Sequence, residues 1–288
     1  MIFFLFRRGP PGPLLFFLII EQPRSRERRK DIVMNIYQRV ATHSGIFHAD
    51  ELMALSLYKV FTRQPALDIV RVARDQDIPE GYLGIDIGSG YLDHHQREGV
   101  PTYADGTKYC AANLVVQYYG WHWFRCQFNK ELSDWAVGQL QQELYPIALQ
   151  DNYGAVKYGN TFSCFVKNLN GTLDFESALK AVEPFAQALI ARHLERARML
   201  EAHPEVLSLE GEIADLGFYL PLDLFPSTVR FVVCESPRGG FNVTSRDSDL
   251  WPVKAVKGEE GCTFVHATHF LAVFENRAQA LACARKSL

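Results

Sequence analysis

Short β-branched runs at residues 36–42, 69–72 and 83–87 alternate with helix-length segments, and each run ends in a polar loop. Segment 50–61 carries Leu52, Leu55, Tyr58 and Phe61 at helical spacing, which predicts a helix buried on one face. Strands joined through helices of that length form parallel βα units, with a sheet covered by helices. In open sheets of this kind ligands bind beyond the carboxyl ends of the strands. Side chains far apart in sequence therefore converge there.

The same reading predicts a short fourth strand at 91–92, a helix at 110–119 that Gly120 stops, and a helix at 131–144. A long Ala-, Leu-, Arg- and Glu-rich helix covers 175–203 and ends at Pro204. Beyond it the texture changes. Segments 229–234 and 240–244 read as paired strands around a Pro-Arg-Gly-Gly turn, and 276–286 closes the chain as a helix. The organisation expected is a site-bearing α/β domain at 34–165, connecting helices at 166–204, and an α+β domain at 205–288.

Residues 1–33 stand apart. Apolar runs 2–6 and 14–20 are both shorter than the ~20 residues of a membrane helix. A signal peptide lacks a small-residue cleavage site, and a transit peptide would carry more Ser. The segment is expected to be a poorly ordered or misassigned extension, with Met34 as the true start. It holds seven of the 30 basic and three of the 33 acidic residues, so the remainder is near −7. So acidic a body lacks the footprint of a strong non-specific nucleic-acid binder. Six cysteines without a Cys-x-x-Cys pair argue against a zinc finger and for reduced, mostly buried thiols. The compartment expected is the cytoplasm, with a mitochondrion or nucleus as the alternatives in a eukaryote, and no membrane is involved.

Four of the nine histidines fall in two tight groups. The first is His43-Ser-Gly-Ile-Phe-His48-Ala-Asp50-Glu51. The second begins with Asp86 and continues at Asp93-His94-His95. Taken singly, each string suits a surface loop, and Asp86 alone suits an Asx turn. Together they fall in order, each at an expected strand end. Asp50 opens a helix, where free N–H groups favour carboxylates and phosphates. Mixed imidazole and carboxylate donors suit Mn, Zn, Fe or Co rather than Ca.

These two motifs, with Asp86-Ile-Gly and Asp93-His94-His95-Gln96-Arg97, resemble the melanocyte proliferating gene 1 family of the DHH phosphoesterase superfamily. The likeness runs from about residue 38 to the end. It includes Ala111-Ala-Asn-Leu-Val, Asp151-Asn152 and Phe264-Val-His266-Ala. It implies a DHH-type fold: a mainly parallel sheet flanked by helices, followed by a smaller α+β domain that binds substrate. It also implies two divalent cations, with manganese ahead of magnesium, cobalt or zinc. One cation would be held by His43, His48 and Asp86, and the other by Asp50, Asp86, His94 and Asp151. His95 would meet the scissile phosphate and Asp93 would orient an imidazole. The implied activity is 3′-5′ exonucleolytic hydrolysis of RNA or oligonucleotides. Three ligand carboxylates against two divalent cations leave a positive site suited to an anionic substrate.

The chain departs from the family at Tyr109-Cys110, where two Ser are usual. It departs again at His269-Phe-Leu-Ala-Val, where a Gly-Phe-Ile-Gly-Gly element is usual. Arg238, His266 and His269 are candidate substrate contacts on the C-terminal domain. The alternative functions are a small-molecule phosphatase or pyrophosphatase, which the acidic body favours, and a non-catalytic metal-binding protein. A peptidase is disfavoured by the absence of His-Glu-x-x-His. The oligomeric state is open.

Overall fold

The computed structural model describes residues 35–95, 98–154 and 161–288. The expected N-terminal extension lies outside them.

Three strands form a parallel sheet in the order β2-β1-β3. They are β1 Arg39–His43, β2 Asp68–Val72 and β3 Leu83–Gly84. β1 lies at the centre, with Val40 and Ala41 fully buried. Its register sets Ala41 beside Gly84 and His43 beside Val72. Two residues past each end of that Ala41–Gly84 pair stand His43 and Asp86. β3 stops early because the chain turns. Ile85 still donates its N–H to the Ala41 carbonyl at 2.9 Å, but Asp86 adopts φ 60°, in the left-handed region. Gly84 permits this reversal: a Cβ there would sit 2.4 Å from the Ile87 carbonyl oxygen.

Helix α1, Ala49–Thr62, follows β1. One buried face was expected, but 12 of its 14 residues are buried. The helix is enclosed by α2, Ala111–Val115, and by the long helix α6, Phe175–Ala202. A helix buried nearly all round belongs to the core.

The expected break at Gly120 does not occur. A π-helical turn, Val116–Gly120, runs from α2 directly into α3, Trp121–Arg125. Gly120 keeps helical dihedrals, and a Cβ on it would lie 3.0 Å from the Phe61 ring. Its missing side chain serves packing rather than termination. The strand expected at 91–92 is instead a turn.

Helix α4, Lys130–Tyr153, passes the expected end at 144 and continues through Pro146. Its buried face of Leu140, Leu144, Ile147 and Ala148 carries on beyond the proline. Packing of that stripe outweighs the hydrogen bond proline cannot make. Helix α5, Thr161–Leu169, precedes α6.

The C-terminal region forms a second sheet in the order β4-β5-β6-β8-β7. Its strands are β4 Ile213–Asp215, β5 Phe231–Glu235, β6 Phe241–Ser245, β7 Cys262–Val265 and β8 Leu271–Phe274. The β5–β6 hairpin turns at the Pro-Arg-Gly-Gly segment as the sequence predicts. Helix α7, Arg277–Ser287, buries Ala280, Cys283 and Ala284 against Phe231, Val243 and Phe274. All six cysteines are unpaired, and four are buried. No described helix is long and apolar enough to cross a membrane. Residues 36–288 make one compact unit.

Gly84→Ala is expected to cost roughly 1–3 kcal/mol, the range for forcing atoms into a packed site, because the clash is with backbone. Urea unfolding would measure it. An unchanged midpoint would mean that the turn bearing Asp86 relaxes freely.

Candidate metal centre

The parallel sheet presents its carboxyl ends to one place. His43 terminates β1, Asp86 follows β3, and His48 precedes the first turn of α1, which bears Asp50. The loop beyond β3 brings Asp93, His94 and His95. Asp151 arrives from α4 on the stripe defined by Leu144 and Ile147, at helical spacing.

These groups meet closely. His94 Nε2 lies 2.9 Å from Asp151, 3.4 Å from Asp86 and 3.8 Å from Asp50. His43 Nε2 lies 3.4 Å from the other oxygen of Asp86. The His43 and His48 rings are 5.2 Å apart. Among the described residues two trios place ligand atoms within 4.8 Å of one another: Asp50, His94 and Asp151, and Asp86, His94 and His95. The first trio falls within one of the two ligand sets expected. His43, His48 and Asp86 do not form such a trio, although Asp86 touches His43 of one set and His94 of the other.

Asp50 is 1% exposed and Asp86 2%. Burial and then the charges of Asp86 and Asp151 push the Asp50 carboxyl well above its usual range. Its oxygens accept the N–H groups of Ala111 at 2.8 Å and Ala112 at 2.7 Å, at the start of α2. Burial also disfavours ionised Asp86, yet the imidazoles of His43 and His94 prevail and hold it below its usual value. Burial works against charge on His94, but Asp151, Asp86 and Asp50 together raise it to about 11. His43 is likewise raised to about 9 against its burial, by Asp86 and Glu51. His48 is lowered, by burial and by His43.

Asp93 and His95 form a separate pair. Asp93 Oδ1 lies 2.8 Å from His95 Nδ1 and accepts the His95 N–H at 3.1 Å; its Oδ2 accepts the Ser89 N–H at 2.7 Å. Burial opposes the Asp93 charge, but these bonds hold its carboxyl down at about 2. An ionised carboxylate accepts only, so His95 Nδ1 carries a proton. The bond to Asp93 raises the His95 pKa, and its side chain is 53% exposed.

The donor set fits divalent cations. His43 Nε2, Asp86 Oδ1 and His94 Nε2 are buried and make no hydrogen bond of acceptable geometry despite their close neighbours. Three carboxylates converge where water is scarce, and buried polar atoms are otherwise satisfied in folded proteins. A cation among them would supply both charge and coordination.

Glu51 stands in the first motif, but sequence reasoning gave it no role. It is fully buried, accepts from Thr42 Oγ1 at 2.9 Å, and lies 3.3 Å from His43 Nε2 and 3.4 Å from Arg71. It shares the His43 Nε2 atom with Asp86. Its place beside Asp50 in the first turn of α1 gave no signal of its own, since acidic residues are ordinary there. Asn170 was also missed. Its side-chain oxygen accepts the Phe47 N–H at 3.1 Å and its amide donates to the Phe47 carbonyl at 2.9 Å, pinning the loop just before His48. Nothing in local sequence announces a bond across 123 residues.

The C-terminal candidates lie elsewhere. Arg238 is exposed in the β5–β6 turn. His266 and His269 occupy the β7–β8 connection, with Nδ1 atoms engaged by Thr268 and the Val253 carbonyl. None of the three bonds to the carboxylate cluster.

Residues 39–188 match the family model MYG1_exonuc, described as Uncharacterised protein family (UPF0160). The chain belongs to this family. It is similar to the MYG1 exonuclease of Bos taurus, at 24% identity over 87% of this chain and 84% of the bovine protein. The human MYG1 exonuclease is 24% identical over 87% of this chain and 85% of its own. The MYG1 protein of Dictyostelium discoideum is 23% identical over 86% of this chain and 96% of its own. The MYG1_exonuc match contains every residue of the carboxylate–imidazole cluster. Among solved structures, RecJ of Thermus thermophilus in complex with Mg2+ aligns at a TM-score of 0.27 and 15% identity, over 86% of this chain and 49% of that one.

Ligating imidazoles must be neutral, and His43 and His94 start protonated near neutrality. Binding of Mn2+ at about pH 7 is therefore expected to release about two protons from these rings and a further fraction from Asp50. Calorimetry in two buffers of different ionisation enthalpy would count them. Affinity should rise with pH through the loss of the His43 proton at about 9 and on toward that of His94 at about 11. Binding without proton release would contradict ligation by these imidazoles.

Proposed function

We propose that this chain is a metal-dependent phosphoesterase that removes nucleotides from the end of RNA or short oligonucleotides. The observation that carries the proposal is Asp86, buried between His43 and His94 with an unsatisfied oxygen, inside a cluster of three carboxylates. The relatives named exonucleases support the same class. The 3′-5′ direction is what the family resemblance implies.

In this reading His43, His48 and Asp86 hold one divalent cation and Asp50, Asp86, His94 and Asp151 hold another, manganese by preference. When bound, such ions supply Lewis acidity toward the phosphoryl oxygens and bring the pKa of water toward neutrality. The protein's own groups do the rest. The amide groups of Ala111 and Ala112 fix Asp50, and Glu51 with Asp86 fixes the His43 ring. Asp93 holds the proton on His95 Nδ1, which leaves Nε2 as the second polar atom of a half-exposed ring. Protonated, that nitrogen donates to a phosphoryl oxygen as charge develops on it. Residues 34–165 carry this chemistry, the helices of 166–204 connect, and 205–288 bind substrate, with Arg238, His266 and His269 as candidate contacts. The unpaired thiols suit a reducing compartment such as the cytoplasm.

The test is metal content of the full chain together with a panel of short RNA, pyrophosphate and nucleotides under Mn, Mg, Co and Zn. End-directed shortening of RNA is expected with Mn. Asp86→Ala should lower that rate by more than about 100-fold, the upper range for losing a group that only orients a ligand, with the fold retained by circular dichroism. Preferred cleavage of pyrophosphate would favour a small-molecule phosphatase. No hydrolysis with any metal would overturn the enzyme reading.

A further inference from the structure

A cavity of about 310 Å3 opens beside the carboxylate cluster, between the start of α1, the end of α4 and α5. Asp50, Asp151 and His48 border it on the side of the proposed cations. The rest of the lining is largely apolar, with Ile46, Phe47, Ile147 and Val166, and carries Gln150, Ser163 and Asn170 as its neutral polar groups. Lys167, exposed, supplies the one ammonium among the described lining residues.

Inorganic phosphate and pyrophosphate need no such space. They are small and fully charged, and apolar walls would strip them of water without return. Ligand pockets run from roughly 300 to 1,000 Å3 and are mostly apolar with a few placed polar groups. This cavity stands at the lower end of that range. It suits one flat, weakly polar group joined to an anion at the cation side.

We infer that the cavity seats the base and sugar of the terminal nucleotide, with its phosphate at Asp50 and Asp151 and their cations. The inference rests on the phosphoesterase reading and deepens it. A recess for a single nucleoside makes the chain end the substrate. It also sets a lone strand against a duplex, because a paired base cannot enter. Val166 from α5 and Ile46 from the loop before His48 set the width of the recess. Lys167 meets anionic charge at its mouth.

The test uses the full chain loaded with Mn2+ and two probes, adenosine 5′-monophosphate and inorganic phosphate, by calorimetry. The nucleotide should bind at least about tenfold more tightly than phosphate, the added nucleoside contact outweighing the cost of ordering it. Val166→Phe, which fills the recess, should bring the two affinities within about threefold of each other. Ile46→Trp narrows the mouth from an exposed position and should act the same way if Val166→Phe fails to fold. Equal affinities in the unaltered chain, or a preference that survives in a folded variant, would overturn the recess. Short RNA still hydrolysed under those results would leave the phosphoesterase reading standing. Failure of both probes to bind, with no RNA hydrolysed, would overturn that reading and the recess with it.

Discussion

Three carboxylates share a space nearly closed to water, and the fold around them is organised to keep them there. Two like charges 4 Å apart repel by about 4 kcal/mol at an effective dielectric of 20. The structure meets that cost with local groups of opposite sign. Asp50 takes two amide N–H groups from the start of α2. Asp86 takes an imidazole on each side, from His43 and His94. The left-handed turn at Asp86 and the Gly84 approach serve the same end, since they bend the chain so that a carboxylate enters where a third strand would have continued.

The parallel βα pattern was legible because alternation and helical spacing are local signals. The two His/Asp groups were legible because each followed such an element. Asp151 was not read from its surroundings; the family resemblance supplied it. Yet the stripe of Leu140, Leu144, Ile147 and Ala148 points to it, and the reading missed this by ending the helix before Pro146. Gly120 was misread for the complementary reason. A glycine in a helix reads as punctuation until its neighbour is known, and here the neighbour is the Phe61 ring, supplied by another helix. Glu51 hid inside the motif because buried charge is exceptional, and a carboxylate on a helix start has an ordinary explanation.

In the C-terminal sheet a residue other than glycine holds a left-handed position. His269 stands where the resembling family carries the first glycine of its Gly-Phe-Ile-Gly-Gly element, and it sits at φ 54°. Glycine takes that conformation without penalty. Histidine holds it here through its ring nitrogen on the Val253 carbonyl at 3.1 Å and its own N–H on the His266 carbonyl at 2.8 Å. The turn thus presents an imidazole at its surface.

The bond pair between Asn170 and Phe47 ties the beginning of the chain to its middle. Contacts so distant in sequence form late, because a long loop must close before they return any free energy. During synthesis the sheet, α1 and the Asp-His-His loop leave the ribosome well before α5 and Asn170 do. The loop that carries His48 thus stays unlatched in the nascent chain. Competence for the proposed chemistry therefore waits on the synthesis of α5 and Asn170.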